Sequence, residues 1–274
     1  MFILWLCLFL YLGLTLLKCI SKHLESPHMF DIILTIYFWL LISASVLVSF
    51  PILIVASFFV NQKTFAYLYE QINNNIIYYG MTIPGIWSVN IRYLSDKYED
   101  GQYVIVANHA SYVDSFFISL VPFTKKFMMA LAYSKIPLFG WLCTKAGFVL
   151  VAQEDPSTTR NAVNDAVSRL DDGSSFMLYP EGRRQPVPNV LLQFKTGAYR
   201  IAQKAGVKIL PVALKNTSKA MTYSGICSFA HVELIIGVPI DVCKINSNTN
   251  DSYDWDEIND AIKETRAFMN KYIS

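Results

Sequence analysis

Two unbroken apolar stretches open the chain, and near residue 62 they give way to short apolar runs separated by polar, helix-periodic segments. Residues 1–17 (MFILWLCLFLYLGLTLL) and 32–60 (IILTIYFWLLISASVLVSFPILIVASFFV) contain no Asp, Glu, Lys or Arg. At about 1.5 Å per residue, the first is close to the shortest helix that crosses a bilayer, and the second exceeds one perpendicular span. Pro51 divides the second run. A tilted span, a kinked span and a hairpin that enters one leaflet and returns all satisfy that pattern. A cleaved signal peptide carries its basic residues before the apolar run, whereas Lys18 and Lys22 follow it here. Those lysines favour a cytoplasmic 18–31 loop, while two full spans with a cytosolic amino terminus would place that loop outside. Residues 1–61 are therefore expected to be a membrane anchor of one or two apolar helices, and residues 62–274 a folded domain.

Within the second part the period switches between helix and strand. Helices are expected over 62–80, 111–120, 157–171 and 195–205, with a helix or loop near 138–146. In the third of these helices Ala162, Val163, Ala166, Val167 and Leu170 share one face. Gly206 stands where a helix terminates in the left-handed conformation, and Asp254 begins a D-x-x-E box ahead of a final helix. Strands are expected over 86–94, 102–107, 126–132, 148–151, 175–180, 208–214 and 231–237. Alternating strands and helices with fully apolar strands indicate an α/β fold, a mixed central sheet flanked by helices, joined to the membrane-embedded helical segment.

Composition adds two exclusions. Lys and Arg exceed Asp and Glu by only 2 charges, and no basic run interleaves with aromatics, so nucleic acid is not an expected partner. The five cysteines (Cys7, Cys19, Cys143, Cys227, Cys243) form neither a C-x-x-C pair nor a zinc pattern, which fits free thiols and leaves no metal site to propose. A mean hydropathy of +0.34 reflects mainly the first sixty residues.

Candidate chemistry lies at two strand ends. In VIVANHASYVDSFF (104–117) a strand runs into Asn108 and His109, with Asp114 five residues after the histidine. Carboxyl ends of strands are where open α/β sheets place their sites. An aspartate that accepts from one imidazole nitrogen leaves the other free as a base. Ser111 to Asp114 is equally an S-x-x-D capping box, which would occupy the carboxylate with a backbone N–H; the spacing alone leaves both readings open. In FMLYPEGRR (176–184) another strand ends at Glu181, Gly182, Arg183 and Arg184. Glycine permits the turn, paired arginines suit a phosphate, and Glu181 is placed to orient an arginine or meet a hydroxyl. SKIPLFGW (134–141) offers Phe139 and Trp141 either to the core or to a lipid interface. A hydrolase of the nucleophile-elbow type would need G-x-S-x-G, which the chain lacks.

Four blocks in order, Asn108-His109-x4-Asp114, Ile136-Pro137-x-Phe139-Gly140, Tyr179-Pro180-Glu181-Gly182-Arg183-Arg184 and Leu210-Pro211-Val212, resemble the glycerolipid acyltransferases, most nearly the 1-acyl-sn-glycerol-3-phosphate (lysophosphatidate) acyltransferases. The resemblance covers about residues 80–220. It implies an acyltransferase domain over 62–274 in which His109 is the general base on the free hydroxyl of a lysophospholipid and Asp114 orients it. It also implies that Glu181, Gly182 and Arg184 meet the acceptor's glycerol phosphate and that the block around Pro211 shapes the acyl-donor side. Asn108, Ser111, Arg183 and Lys135 complete the substrate-binding candidates. Acyl-CoA or an acyl carrier protein is the implied co-substrate, with no cofactor and no metal. The implied setting is the cytosolic face of a membrane, the endoplasmic reticulum in a eukaryote or the inner membrane in a bacterium. The product would be phosphatidic acid; acylation of another lysophospholipid and a non-catalytic membrane scaffold are the alternatives. Two blocks depart from the family pattern: Arg183 and Gln185 stand where threonine and serine are usual, and Ala130 and Leu131 where a basic residue is usual, with Lys135 nearby.

Overall fold

The computed structural model describes residues 27–96, 98, 101–136, 138–152, 156–242 and 253–273. The apolar run 1–17, the cysteines Cys7, Cys19 and Cys243, and Pro137 lie outside the described residues. Seven strands form one sheet: β1 (Trp87–Tyr93), β2 (Tyr103–Ala107), β3 (Lys125–Ala130), β4 (Val149–Val151), β5 (Ser175–Leu178), β6 (Lys208–Lys215) and β7 (Ala230–Ile236). Their spatial order is β1-β7-β6-β2-β5-β3-β4. All neighbours run parallel except β6 and β7. The mixed α/β sheet expected from the sequence is therefore present.

Strand β2 (YVIVA) is buried at every position and sits between β6 and β5. That burial on both faces explains why its sequence reads as a continuous apolar run rather than an alternating one. Ile105, Ala107, Leu210 and Val212 face a core shared with α1 (Pro27–Ala56), α2 (Gln62–Asn75) and α3 (Asp114–Ile118). Val104, Val106, Ile209 and Ala213 face the opposite core, built on α5 (Pro156–Leu170), α6 (Gly197–Ala205) and α8 (Trp255–Ile273). Two short helices, α4 (Phe139–Lys145) and α7 (Thr217–Ala220), complete the set.

Local signals mostly act as expected. Gly206 ends α6 at φ 68°, in the left-handed region. Asp254 Oδ1 accepts from the amides of Asp256 and Glu257, both at 3.1 Å, and caps α8. Asn61 caps α2 by accepting from Thr64 N at 2.9 Å. The helix expected over 62–80 changes character at Ile76, where a π-helical turn (Ile76–Thr82) takes over and feeds β1. The helix expected over 111–120 shrinks to Asp114–Ile118, because the backbone before it is committed to another task at Asp114.

Helix α1 is long and apolar enough to cross a membrane, by length and composition. One narrow stripe of it, Leu34, Phe38 and Leu53, is buried against the sheet domain, while Ile36, Leu40, Leu47, Ile52 and Val55 are exposed. Phe38 packs its ring on Trp87 (5.7 Å between centroids) and Phe50 on Trp141 (5.5 Å). Thr35 Oγ1 accepts from the amide of Cys227 at 2.9 Å. Of the two aromatics in SKIPLFGW, Trp141 is thus an anchoring ring, also meeting Phe65 at 6.1 Å. The exposed apolar groups there are Leu131, Tyr133, Ile136 and Leu138 instead.

Candidate active site

Strands β2 and β5 are parallel neighbours, so the segments that leave their carboxyl ends meet on one edge of the sheet. The segment after β2 brings His109, and the one after β5 brings Tyr179, Glu181, Gly182 and the two arginines. Two backbone bonds clasp them together. The amide of His109 donates to Glu181 Oε1 at 2.9 Å, and the amide of Gln185 donates to the His109 carbonyl at 2.7 Å. The peptide unit that carries the imidazole is thereby held on both sides.

Asp114 is fully buried and lies at the first turn of α3. Its Oδ2 accepts from three donors: His109 Nδ1 at 2.7 Å, Ala110 N at 2.7 Å and Ser111 N at 2.8 Å. The capping and dyad readings of this aspartate are therefore not alternatives, since one oxygen serves both. A carboxylate can only accept, so in the neutral imidazole Nδ1 carries the proton and Nε2 keeps its lone pair. The imidazole side chain is 20% exposed, leaving Nε2 for a ligand at the sheet edge. The ring also lies flat on Tyr179, with centroids 3.9 Å apart and planes 9° apart. Tyr179 OH and Ser115 Oγ are 3.1 Å apart. Burial, and secondarily the Asp114 carboxylate, push the Tyr179 phenol well above its ordinary pKa, so it stacks as a neutral ring.

The turn 179–185 divides its charges. Glu181 is buried, and its carboxylate accepts from His109 N, from Gln185 Nε2 at 2.9 Å and, through Oε2, from Leu192 N at 2.8 Å. Burial raises its pKa despite those donors. Gly182 adopts φ +71°, and a Cβ there would stand 2.9 Å from the Lys195 side chain. Arg183 is exposed and, with Glu181, Lys195 and Thr196, lines an open cavity of about 560 Å³. Arg184 turns the other way. Its guanidinium carbon is 3.3 Å from the ring centroid of Tyr112 and 4.5 Å from that of Tyr223.

Several residues expected at the substrate have other duties. Asn108 donates Nδ2 to Leu214 O (2.9 Å) and accepts from Leu214 N (2.8 Å), extending the β2–β6 pairing by one side chain. Ser111 is buried and donates to the Met221 carbonyl at 2.7 Å. Pro211 lies within β6 on the α8 side, where its Cγ and the Phe268 ring crowd Gly237. Glu181 braces two backbone amides and the Gln185 side chain, and among the described residues it forms no ion pair with an arginine. All four are buried, so they shape the site from behind. Lys135 ends the exposed 3₁₀ turn after β3, a strand separated from β2 by β5, and among the described residues no hydrogen bond or ion pair joins it to the His109 cluster. Tyr112, Tyr179, Tyr223 and Lys195 went unrecognised in the sequence. Tyr112, inside the His-x4-Asp spacing, and Tyr179, at the head of the third block, carried a positional signal; Tyr223 and Lys195 did not.

An imidazole oriented by a buried carboxylate thus stands at the carboxyl ends of two neighbouring strands, beside the turn that carries Arg183 and Arg184. Residues 88–215 match the profile of the family described as Acyltransferase. The chain is 29% identical over 175 residues to the chloroplastic 1-acyl-sn-glycerol-3-phosphate acyltransferase LPAT1 of Arabidopsis thaliana, covering 63% of this chain and 49% of that one. It is 32% identical over 139 residues to the chloroplastic BAT2 enzyme of Brassica napus, named for the same activity, covering 50% of this chain and 40% of that one. The chain thus spans about half the length of these relatives, or less. The crystal structure of the 1-acyl-sn-glycerophosphate acyltransferase PlsC from Thermotoga maritima shares the fold, with a TM-score of 0.72 at 21% identity, over 90% of this chain and 96% of that one. Residues 88–215 are thus similar to the Acyltransferase family, and the relatives that this chain resembles are named as 1-acyl-sn-glycerol-3-phosphate acyltransferases.

Proposed function

We propose that this protein transfers an acyl chain from acyl-CoA to the free hydroxyl of lysophosphatidic acid, giving phosphatidic acid. The observation that carries the proposal is the 2.7 Å bond from His109 Nδ1 to Asp114, which leaves Nε2 as the base. Nε2 takes the proton of the acceptor hydroxyl as its oxygen attacks the thioester carbonyl. The tetrahedral intermediate collapses with cleavage of the carbon–sulfur bond, and the imidazolium returns its proton to the departing thiolate. No acyl-enzyme forms. A thioester is already activated, so a base and orientation supply most of what the step requires. The chemistry draws on no metal or cofactor.

Arg183 and Lys195 at the cavity, with Arg184 on the other side of the same turn, favour an acceptor with a phosphate monoester, because cations match a dianion better than a zwitterionic choline head group. The exposed apolar flank of α1 and the Leu131–Leu138 patch support a bilayer as the surface from which both amphiphiles arrive. Residues 62–274 are accordingly the catalytic domain and α1 belongs to the membrane anchor, with the domain on the cytosolic face.

A panel of lysophospholipids with labelled acyl-CoA, incubated with the purified full chain, tests the reading. Phosphatidic acid formation from lysophosphatidic acid should exceed acylation of the choline and glycerol head groups at least tenfold. Equal use of all three would remove the monoester assignment, and no product from any would remove the acyltransferase assignment.

A further inference from the structure

We propose that Tyr112 and Tyr223 form an aromatic clamp that fixes the Arg184 guanidinium relative to His109, making both tyrosines positioning residues for the acceptor's phosphate; this rests on the reading that Arg184 meets that phosphate. The guanidinium touches both rings, and its Nη1 donates to the Tyr223 carbonyl at 3.3 Å. Among the described residues no carboxylate pairs with Arg184. A carboxylate would hold an arginine by neutralising it. Ring faces hold it through their quadrupoles and leave its charge available to an anion.

The clamp is tied to the base. Tyr112 lies between Ser111 and Asp114, whose backbone and side-chain bonds set the loop that carries His109. The Ser111 hydroxyl donates to Met221 O, which staples that loop to the segment carrying Tyr223. Tyr223 sits in a tight turn closed by bonds between Thr222 and Ile226 and from Gly225 N to Thr222 O. On the third side, Gln185 N donates to His109 O, fixing the backbone next to Arg184. Three chain segments joined by bonds at 2.7 Å therefore set the span from Nε2 to the guanidinium. In a lysophosphatidic acid that span is the distance from the reacting hydroxyl to the phosphate, so the clamp selects which hydroxyl reaches the base.

Both rings are about half exposed (48% and 52%), so Tyr112→Leu and Tyr223→Leu should fold normally. Loss of one ring should raise the KM for lysophosphatidic acid about three- to thirty-fold with kcat within twofold, while Tyr112→Phe and Tyr223→Phe stay near wild type. In an Arg184→Ala background Tyr112→Leu should add nothing further. Equilibrium binding of lysophosphatidic acid to the His109→Ala protein gives the same comparison without turnover. If wild type makes no phosphatidic acid but Tyr112→Leu and Arg184→Ala weaken binding non-additively, the clamp stands and the proposed reaction falls. The clamp is overturned if Tyr112→Leu weakens binding equally with and without Arg184, if the phenylalanine variants are as damaged as the leucine ones, or if kcat falls while KM is unmoved.

Discussion

Replacing Asp114 by asparagine removes a charge while nearly preserving shape, and the three bonds to Oδ2 let its effects on fold and chemistry be separated. An asparagine amide oxygen in the place of Oδ2 still accepts from Ala110 N and Ser111 N, now at 2.7 and 2.8 Å. The loss is the difference between charged and neutral acceptance, about 1 kcal/mol per bond, so stability should fall by about 1–2 kcal/mol. Oδ1 has no hydrogen-bond partner among the described residues, so the amide nitrogen inherits a place that was already unsatisfied. The chemistry loses more. An imidazolium forming next to a buried carboxylate gains about 4 kcal/mol at an effective dielectric near 20, equivalent to about a thousandfold in rate. Asparagine can also turn its amide nitrogen toward Nδ1 and force the proton onto Nε2, which removes the base altogether. The assay is kcat at saturating donor and acceptor, with denaturant unfolding of the same preparation. The reasoning is refuted if Asp114→Asn keeps more than a tenth of wild-type kcat, or if it loses 4 kcal/mol of stability while the surviving folded enzyme turns over normally.

Three further outcomes follow from particular contacts. Lys125 and Glu70 form a buried ion pair at 3.0 Å between β3 and α2, where burial lowers the lysine and raises the glutamate. Lys125→Met alone should cost about 3–5 kcal/mol by orphaning Glu70, whereas Lys125→Met with Glu70→Leu should unfold close to wild type; chemical denaturation distinguishes the two. Gly182→Ala should cost about 1–2 kcal/mol for its positive φ and push Lys195 aside, read as a lower Tm. Because burial raises the Glu181 pKa, its contribution to stability is fully present below the ordinary carboxylate pKa and is lost as pH rises through the raised value. Wild type should therefore lose stability relative to Glu181→Gln across that window, and a constant difference would contradict the burial argument.

The sequence exposed those features whose cause is local. Strand β2 was readable because burial on both faces demands a continuous apolar run, and the ends of α6 and α8 because Gly206 and Asp254 act on their own neighbours. The His109–Asp114 pair was readable as a spacing but not as a choice, since only coordinates reveal one oxygen accepting from an imidazole and two amides. Contacts between distant segments were invisible. The stack of His109 on Tyr179, the Tyr223 ring on Arg184 and the Glu70–Lys125 pair each join residues whose separation carries no pattern. Polar types at strand ends are ambiguous for the same reason. Asn108 and Ser111 look like ligand contacts in a string of letters, yet their bonds run to Leu214 and Met221, more than a hundred residues away.

His109→Ala in the full chain tests the central claim most directly. The measurement is the initial rate of phosphatidic acid formation from lysophosphatidic acid and labelled acyl-CoA, at equal amounts of folded protein. Loss of the base predicts a fall of about a hundred- to ten-thousandfold in kcat, with lysophosphatidic acid still bound. A variant that turns over within a few fold of wild type would contradict the assignment of His109 as the group that takes the hydroxyl proton.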